Sequence, residues 1–324
     1  FRRKQIRSLF GKYYFKWTNK YRKINPTINR LTTHFIIYHT ITHEKSNKTI
    51  ILMSKVILIT GASRGFGKIW AKALLEQGHK IVATARKTDD LNDLVEAFGS
   101  QILPLPLDVT NREQVLETVE KAHKHFGRID VLINNAGYGL FGAVEETTEA
   151  EARQQMEVNF FGLLWVTQAV LPYMRAQQSG HIIQVSSVLG LFTLPTLGLY
   201  NASKFAVEGL SETLATEVKA FGIHVTLIEP NGFSTDWAGA SAAQTQEIPA
   251  YDDLKAAFRN GSTPDSYGKP EATVEPVLNL IASTEPPLRL ILGKVGYPIV
   301  KSVYEQRLAS WEENKEVSAK AHGH

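Results

Sequence analysis

The stretch that decides the fold is residues 56–67, which read VILITGASRGFG. Its first four residues, Val56 to Ile59, form a short continuous apolar run, which is typical of a strand buried in a parallel sheet. Three glycines follow, at positions 61, 65 and 67, and the last two open a helical pattern. Glycines at such a turn let the backbone approach a pyrophosphate, which then meets the free amides of the helix N-terminus. The order strand, glycine turn, helix therefore predicts a dinucleotide site.

The spacing of these glycines, G-x-x-x-G-x-G, departs from the commoner dinucleotide fingerprint G-x-G-x-x-G. A purely structural turn is the alternative, but the position directly after the first buried strand favours phosphate binding. We expect the nucleotide to contact the residues of this turn, namely Gly61, Ser63, Arg64, Gly65, Phe66 and Gly67.

The alternation of strand and helix continues through the rest of the chain. Short apolar runs recur at 81–83, 102–103, 131–133, 182–185, 225–228 and 288–292. Helical patterns lie at 68–77, 112–125, 149–177, 203–221 and 297–311. Repeated strand–helix units of this length require right-handed crossovers and a parallel sheet with helices on both faces. The sequence therefore predicts an α/β fold: a Rossmann-type, doubly wound parallel sheet of about seven strands in a single domain.

The choice of nucleotide is indicated by the end of the second strand, Ala83-Thr84-Ala85-Arg86-Lys87. An acidic residue about 20 positions after the glycines binds the 2′-hydroxyl of NAD, whereas a basic residue accommodates the 2′-phosphate of NADP. No acid lies in this stretch, Arg86 and Lys87 follow the strand, and Arg64 of the glycine turn can approach the same phosphate. Any one of these cations alone could be a solvated surface residue. The three together predict NADP(H) as the cofactor.

A candidate proton donor lies in the segment Tyr200-Asn201-Ala202-Ser203-Lys204. Residues four apart on a helix share a face, so the Lys204 ammonium can lie beside the Tyr200 phenol. A nearby positive charge favours the phenolate, and we expect it to lower the pKa of Tyr200 from its reference value of about 10. Because this spacing alone is common on helices, the other motifs must decide between a general acid/base and an ordinary surface pair.

Those motifs follow one another in a characteristic order. Asp108 comes after the third strand, Asn134-Asn135-Ala136-Gly137 after the fourth, and Asn159 and Ser187 precede the tyrosine and lysine. With the glycine turn, they resemble the short-chain dehydrogenase/reductase family over nearly all of residues 53–311.

The resemblance implies a catalytic tetrad of Asn159, Ser187, Tyr200 and Lys204. Ser187 would polarise the substrate oxygen, and Tyr200 would donate or accept the proton. Lys204 would lower the pKa of Tyr200 and bind the nicotinamide ribose, while Asn159 would hold a water that leads to bulk solvent. Ser186 would point the other way along the strand end, and we expect it to be structural.

The resemblance also implies further nucleotide contacts. Asp108 and Val109 would flank the adenine, and Asn134 to Gly137 would support the sheet and the adenosine ribose. Thr235 would lie near the carboxamide, after a segment in which Asn231 replaces the family's usual glycine. The expected contacts beyond the glycine turn are Arg86, Asp108, Val109, Asn135, Ala136, Gly137, Tyr200, Lys204, Pro230, Gly232, Phe233 and Thr235.

The substrate is less clearly indicated. Most residues expected around Tyr200 are apolar or aromatic, which predicts a lipophilic aldehyde, ketone or alcohol, although several of them could simply belong to the core. The candidate pocket residues are Tyr138, Val188, Leu189, Pro195 and Trp237, with Leu140, Phe141, Leu194 and Phe233 nearby. We expect a substrate loop over residues 231–268, and its part 238–268 has the composition of a mobile lid.

The first 52 residues differ in charge from the rest. They hold twelve Lys and Arg against one acid, a net charge of +11, whereas residues 53–324 hold 24 basic against 31 acidic residues, a net charge of −7. A transit peptide or a basic arm for nucleic acid or anionic lipid are possible interpretations. Because Met53-Ser54-Lys55 directly precedes the first strand, we expect a disordered leader foreign to the fold, a Rossmann domain over 53–312, and a flexible tail over 313–324.

The absence of cysteine excludes disulfides, thiol nucleophiles and thiolate metal sites, and fits a reducing, cytoplasmic compartment. The ten histidines show no metal-ligand spacing, so no metal is predicted, and neither a nucleic-acid nor a membrane partner is expected. The family resemblance implies a homodimer or homotetramer. The apolar stripe Val207, Leu210 and Leu214 is compatible with such an interface and equally with packing onto the sheet.

Taken together, these features predict an NADP-dependent carbonyl reductase or alcohol dehydrogenase acting on a small molecule, with lipophilic aldehydes, ketones and hydroxysteroids as candidate substrates. The alternative is a protein of the same fold that binds NADP(H) as a sensor or scaffold without turnover. No member of the expected tetrad is missing, so the sequence favours the enzyme.

Overall fold

The structure is a computed structural model and describes residues 54–239, 242–261 and 266–323. The basic leader of residues 1–52 lies outside the described residues, so its predicted character stays a prediction.

Nine strands lie in this described part of the chain: β1 (Val56–Ile59), β2 (Lys80–Ala85), β3 (Ile102–Pro106), β4 (Val131–Asn134), β5 (Leu140–Phe141), β6 (Gly180–Val185), β7 (Ile223–Pro230), β8 (Ala243–Gln244) and β9 (Arg289–Leu292). Seven of them form one parallel sheet in the order β3-β2-β1-β4-β6-β7-β9. The strand order reverses between β1 and β4, whose register pairs Ile57 with Val131 and Ile59 with Ile133. Ligands of open α/β sheets bind at the carboxyl ends of the strands, at this kind of switch point.

The described residues include ten α-helices: α1 (Gly65–Glu76), α2 (Asn92–Phe98), α3 (Arg112–Phe126), α4 (Glu149–Met156), α5 (Leu163–Gln177), α6 (Gly198–Val218), α7 (Asp252–Asn260), α8 (Val274–Ala282), α9 (Gly296–Glu313) and α10 (Lys315–Lys320). Helices α1, α2 and α8 pack on one face of the sheet, and α3, α5 and α6 pack on the other. The predicted α/β architecture, a doubly wound parallel sheet of seven strands, is confirmed.

Strand β1 shows why its sequence is continuously apolar. Ile57 and Ile59 belong to the core on the α1 side, whereas Leu58 belongs to the core on the α3 side, and all three are fully buried. Successive side chains of a strand point to opposite faces, so a strand with helices on both faces needs apolar residues at every position. Trp70 of α1 completes one of these cores and donates a hydrogen bond from Nε1 to Thr273 Oγ1 at 2.8 Å.

Several helix boundaries differ from those predicted from the pattern. The helix predicted at 203–221 begins at Gly198, so Tyr200 lies inside α6. The helix predicted at 149–177 consists of α4 and α5, joined by a π-helical turn at Glu157–Gly162. Apolar periodicity reports which face is buried but does not show where hydrogen bonding changes from i−4 to i−5.

The region predicted as a lid contains more regular structure than its composition suggested. Strand β8 pairs in parallel with β5, matching Leu140 with Ala243, and helix α7 follows. The expected flexible tail is helical over Lys315–Lys320 with every residue exposed, and its flexibility stays a prediction.

The apolar stripe of α6 packs against other residues of this chain. Val207 is fully buried, Leu214 belongs to the core on the α3 side, and Leu210 packs against Val207 and its neighbours. This stripe is therefore explained by packing inside the chain and gives no argument for an oligomer. Among the described residues, no helix combines the length and apolarity needed to cross a bilayer.

Candidate active site

The predicted site residues meet at the carboxyl edge of the sheet. A Cβ added to Gly137, after β4, would lie 3.2 Å from Asn159 Oδ1 and 3.9 Å from Lys204 Nζ. A Cβ added to Gly65 would lie 4.0 Å from Thr235 Cβ. The glycine turn, the end of β4, helix α6 and the segment after β7 therefore enclose one crevice.

The glycine turn has the geometry that a phosphate group needs. Gly61 and Gly65 have φ angles of 67° and 53°, a conformation that favours glycine. Helix α1 begins there with no side-chain cap at Arg64 and no acid in its first turn. Its first amides and the positive end of its dipole thus suit an anion, so the turn fits the pyrophosphate of a nicotinamide dinucleotide.

The residues after β4 hold this turn in place. Thr60 Oγ1 accepts hydrogen bonds from the amides of Asn135 and Ala136, each at 3.0 Å. The Asn135 side chain donates to the carbonyls of Thr60 and Gly61, also at 3.0 Å. Asn134 is buried and donates to Thr167 Oγ1 and Gln184 Oε1, each at 2.9 Å. In this structure the two asparagines support the sheet and the turn, as the motif led us to expect.

Two of the three cations predicted to contact a 2′-phosphate, Arg64 and Arg86, lie next to the ends of α1 and β2. Arg64 precedes α1 and Arg86 follows β2, and both side chains are exposed. Neither forms a hydrogen bond or an ion pair with another described residue. Asp108 is also exposed, and its Oδ1 accepts hydrogen bonds from the amide and hydroxyl of Thr110. Val109 is buried.

The segment after β7 contributes to both ends of the crevice. Phe233 makes an edge contact with Phe66 of α1 at 5.2 Å, so it belongs to the nucleotide side. Thr235 Oγ1 accepts a hydrogen bond from the Trp237 amide at 3.4 Å, and Gly232 is exposed. The Pro230 carbonyl is 3.5 Å from the Ser187 hydroxyl, which donates to it.

Three residues of the expected tetrad lie close together and are buried. Tyr200 and Lys204 are 6% exposed on the same face of α6, with Lys204 Nζ 5.6 Å from the centre of the tyrosine ring. Ser187 lies two residues after the end of β6, and its hydroxyl is near enough to the Tyr200 phenol to lower the pKa of that phenol. The structure therefore brings the hydroxyl, phenol and ammonium groups together, and their catalytic roles stay a prediction.

Burial changes the acidity of this unit in a direction that the sequence did not predict. It raises the pKa of Tyr200 above the ordinary value for a phenol, and the hydrogen bond with Ser187 opposes this rise only in part. The sequence led us to expect a lower pKa beside Lys204, but loss of water disfavours the phenolate, and the pKa is raised instead. At neutral pH Tyr200 is therefore a protonated donor.

The Lys204 side chain is hydrogen bonded to the backbone. Its Nζ donates a hydrogen bond to the Val185 carbonyl at 2.8 Å. Burial lowers the pKa of Lys204 to about 8, while the charge of Glu208 acts in the opposite direction. The ammonium is thus present at neutral pH and is lost as the pH rises through about 8.

Asn159 lies in the π-helical turn and is fully buried. Its Oδ1 accepts a hydrogen bond from the Tyr138 amide, and its Nδ2 donates to the Tyr138 carbonyl, both at 3.0 Å. Nδ2 also lies 3.2 Å from Ser203 Oγ on α6. Asn159 thereby links the loop after β4 to the catalytic helix, and its role toward a water stays a prediction.

An apolar cluster surrounds Tyr200. The centre of the Trp237 ring system lies 4.8 Å from that of Tyr200 and 5.4 Å from that of Phe141. Of the predicted pocket residues, Val188, Leu189 and Trp237 belong to this cluster. Tyr138 is half-buried beside Asn159, whereas Pro195 is exposed and does not belong to the cluster. The remaining members are Phe192, Leu197, Phe258, Ile291, Val300 and Val303.

Phe258 on α7 and Val300 and Val303 on α9 were missed from the sequence. They reach the site from far along the chain, and no local motif marks them. Helices α7 and α9 thus contribute side chains to the apolar cluster that contains Tyr200.

A buried ion pair holds the segment around β8 and α7 in place. Lys255 of α7 contacts Glu146, whose carboxylate also accepts hydrogen bonds from the amides of Ala143 and Ile248. Burial alone would raise the pKa of Glu146, but these hydrogen bonds and the Lys255 charge lower it to about 2. The segment predicted as a lid is therefore tied to the body of the domain by a charged group that stays ionised.

No group of three or more histidines or acids with metal-binding geometry occurs within 54–239, 242–261 and 266–323. The chemistry of the crevice is that of a phenol, a hydroxyl and an ammonium beside an anion-binding turn.

Comparison with known proteins agrees with this geometry. The family model for short chain dehydrogenase matches residues 55–246. The chain is 42% identical to "Oxidoreductase BOA17" of Botryotinia fuckeliana, covering 82% of this chain and 98% of the relative. It is 41% identical to a 3-ketodihydrosphingosine reductase of Bacteroides thetaiotaomicron, covering 80% and 94%. It is 35% identical to human retinol dehydrogenase 8, covering 72% and 80%.

Solved structures show the same fold. A short-chain dehydrogenase from Streptomyces avermitilis is 36% identical, with a TM-score of 0.76 over 82% of this chain and 98% of that one. A Burkholderia cenocepacia enzyme in complex with NADP is 28% identical, with a TM-score of 0.65 over 81% and 98%. A Burkholderia phymatum enzyme in complex with NAD is 27% identical, with a TM-score of 0.66 over 82% and 95%. Structural neighbours thus bind either nucleotide.

Proposed function

Because this chain belongs to the short-chain dehydrogenase/reductase family, we propose that it is an NADP(H)-dependent oxidoreductase that interconverts a lipophilic aldehyde or ketone and the corresponding alcohol. The observation that carries the proposal is the buried unit of Ser187, Tyr200 and Lys204. This unit lies between an anion-binding glycine turn and an apolar cluster.

The proposed chemistry assigns one task to each side chain. Ser187 donates a hydrogen bond to the substrate carbonyl oxygen and so stabilises the charge that develops there. Tyr200 transfers its phenolic proton to the same oxygen as general acid. Lys204 stabilises the resulting phenolate through its positive charge. When bound, the nicotinamide nucleotide supplies the hydride.

The burial of Tyr200 favours the reducing direction at neutral pH. A phenol whose pKa is raised keeps its proton until a carbonyl oxygen that is gaining charge accepts it. In the oxidising direction the same group must first lose its proton, which requires a higher pH. Asn159, which is hydrogen bonded to Tyr138 and Ser203, is proposed to position a water that returns the proton to Lys204.

The preference for NADP(H) rests on the exposed cations beside the turn. Arg64 and Arg86 form no ion pair with other described residues, so both guanidinium groups are free to bind a 2′-phosphate. Replacing Arg86 with Asp introduces repulsion toward that phosphate and an acceptor for a 2′-hydroxyl. We expect Arg86→Asp to shift the ratio of kcat/KM values from NADPH toward NADH by at least about tenfold, with Lys72→Asp on the surface of α1 as control. An unchanged ratio would argue against the choice of NADP(H).

The substrate class rests on the apolar cluster around Tyr200. The Trp237 ring lies beside the phenol, Phe141 and Phe258 belong to the same cluster, and such apolar walls bind hydrocarbon better than polar groups. The names of two relatives, a 3-ketodihydrosphingosine reductase and a retinol dehydrogenase, also refer to lipids. We therefore place the natural substrate among lipophilic carbonyl compounds.

The decisive experiment follows NADPH absorbance against a panel of aldehydes, ketones and oxosteroids of graded chain length. We expect turnover that improves with hydrophobicity. Tyr200→Phe should lose about 10²–10⁴-fold in kcat, the contribution typical of a general acid, while still binding NADPH. Tyr297→Phe, at a position that is 61% exposed, is the matched control. Substantial turnover by Tyr200→Phe, or no turnover by the wild-type protein with any compound, would refute the proposal.

A further inference from the structure

A cluster of charged groups is buried behind the catalytic helix, and the chemistry proposed above does not use it. Glu208 on α6 is 6% exposed, and Glu229 on β7 is 0% exposed. The guanidinium of Arg289 on β9 contacts both, with its Nε 3.2 Å from Glu208 Oε2 and 3.3 Å from Glu229 Oε1. Two buried carboxyl groups therefore share one cation.

That cation is itself shared with a third acid. Arg289 Nη2 lies 2.9 Å from Glu212, whose side chain is 62% exposed. If Glu208 and Glu229 were both ionised, the buried part of the cluster would carry excess negative charge, which a low-dielectric interior disfavours. One of the two buried carboxyl groups is therefore expected to hold a proton.

The hydrogen bonds of the cluster point to the same conclusion. Glu208 and Glu229 lie within hydrogen-bonding reach of each other, but two carboxylates have no donor between them. In that state Glu208 Oε1 and both oxygens of Glu229 are buried without a hydrogen-bond partner among the described residues. A proton on one carboxyl group supplies the missing donor.

The position of that proton follows from the surroundings. Burial and the neighbouring charge of Glu208 raise the pKa of Glu229 to about 8. Burial also raises the pKa of Glu208, but the guanidinium of Arg289, whose Nε lies 3.2 Å from Glu208 Oε2, opposes that rise. At neutral pH the shared proton is therefore expected on Glu229, and Glu208 is expected to be ionised.

The cluster contacts the segments that carry the catalytic groups. Glu208 follows Lys204 by one helical turn on the same face of α6, and its charge favours the ammonium. Ser186 precedes Ser187, and Glu229 precedes Pro230, whose carbonyl accepts the Ser187 hydrogen bond. A Cβ added to Gly190 would lie 2.9 Å from Glu208 Cγ and 3.0 Å from Ser186 Oγ, so these groups are closely packed.

We propose that Glu208 and Glu229 share one proton, which resides on Glu229, and that the remaining negative charge on Glu208 keeps Lys204 protonated at neutral pH. Glu208 is a positioning residue that acts through Lys204 and contacts neither substrate nor nucleotide. This inference rests on the proposed function only in giving Lys204 a catalytic task.

The sign of the effect follows from the groups around Glu208. These are Lys204 and Glu212 on its own helix, Ser186 after β6, Glu229 on β7 and Arg289 on β9. Removing the charge of Glu208 removes the attraction that favours the Lys204 ammonium, so the ammonium becomes less stable. The pKa of Lys204 then falls, and the alkaline limb of kcat/KM moves to lower pH.

The test measures the titration of Lys204 directly, by NMR of the holoprotein labelled with ¹³C at lysine Cε, with the Lys204 signal assigned by Lys204→Arg. We expect Glu208→Gln to lower the Lys204 midpoint by about one pH unit, the effect of a nearby opposite charge. Because Glu229 can ionise when its neighbour is neutral, the double variant Glu208→Gln/Glu229→Gln should lower it at least as much. Glu229→Gln alone and the matched control Glu212→Gln should leave it unchanged.

Infrared difference spectra give a second readout that needs no turnover. The wild-type protein labelled with ¹³C-glutamate should show the carbonyl band of a protonated carboxylic acid at neutral pH, and Glu229→Gln should lack it. An unchanged Lys204 midpoint in the double variant, an equal shift in Glu229→Gln and Glu208→Gln, or the absence of that band would each overturn the inference. None of these results depends on finding a substrate, so failure of this inference can be distinguished from failure of the proposed function.

Discussion

Gly67 offers a test in which two physical effects predict opposite signs. It is the third residue of α1 and is buried. Alanine stabilises a helix interior by roughly 1 kcal/mol relative to glycine. Helix propensity alone therefore predicts that Gly67→Ala stabilises the protein.

The packing around Gly67 predicts the reverse. A Cβ at this position would lie 2.3 Å from the Gly61 carbonyl oxygen and 2.6 Å from Asn135 Nδ2. Overpacking of this kind costs about 1–3 kcal/mol. Displacing Asn135 also endangers its two hydrogen bonds to the turn, which are worth about 1 kcal/mol each. After the gain in propensity is subtracted, we expect a net loss of about 2–4 kcal/mol in the free energy of unfolding.

The matched control is Gly209→Ala in α6, where an added Cβ meets nothing within 4 Å. It should gain up to about 1 kcal/mol, because only propensity acts there. Chemical denaturation gives both values, and each kcal/mol should shift the melting temperature by about 2–4 °C.

Nucleotide affinity provides the second readout for Gly67→Ala. The turn must move to admit the methyl group, so NADPH binding, followed by its fluorescence, should weaken at least about tenfold, or roughly 1.4 kcal/mol. A Gly67→Ala protein as stable as the wild type and with unchanged NADPH affinity would refute the close approach of helix and turn.

Three further predictions concern the pocket, the catalytic cation and the covering segment. Trp237→Ala should raise KM for lipophilic substrates about tenfold or more with a smaller change in kcat, because the indole forms a wall beside the phenol, whereas Trp311→Ala, at an exposed position, should change neither. The rate of carbonyl reduction should fall as the pH rises through about 8, because Lys204 loses its proton there, and a pH–rate profile checks this limb. Glu146→Gln should speed hydrogen exchange in residues 243–260, measured by mass spectrometry, because a buried lysine of α7 loses its counter-charge while the β-sheet core keeps its protection.

The features that the sequence predicted well are those in which a local pattern has one physical cause. Gly61 and Gly65 are glycines because their φ angles are positive, and the turn could be recognised without coordinates. Strand β1 is apolar at every position because both of its faces are covered. Tyr200 and Lys204 share a helical face because they are four residues apart. In each case the informative sequence pattern is confined to about one helical turn or one strand.

The features that it missed depend on contacts between distant segments. Phe258, Val300 and Val303 come from α7 and α9 and pack against the apolar cluster that contains Tyr200, but their spacing in the sequence is that of ordinary core residues. The pKa of Tyr200 was expected to fall because the spacing reveals the neighbouring ammonium. It does not reveal the burial that outweighs this charge.

The same limit applies to the carboxyl pair behind the catalytic helix. Glu208 and Arg289 are 81 residues apart in the chain, and only the order of strands β7 and β9 brings them together. A lone glutamate on a helix is usually interpreted as a solvated residue, so its sequence context gave no reason to single it out.

The side chains proposed to be catalytic are hydrogen bonded mainly to backbone groups. Lys204 donates to the Val185 carbonyl, Ser187 donates to the Pro230 carbonyl, and Asn159 bonds to both backbone groups of Tyr138. Backbone groups are the same in every residue, so these hydrogen bonds do not depend on the side chains near the phenol. Those side chains can therefore be substituted without breaking the hydrogen bonds that position Lys204, Ser187 and Asn159. A library that varies only Phe141, Trp237 and Phe258 should therefore yield catalysts retargeted to other carbonyl compounds, with the machinery for proton transfer inherited intact.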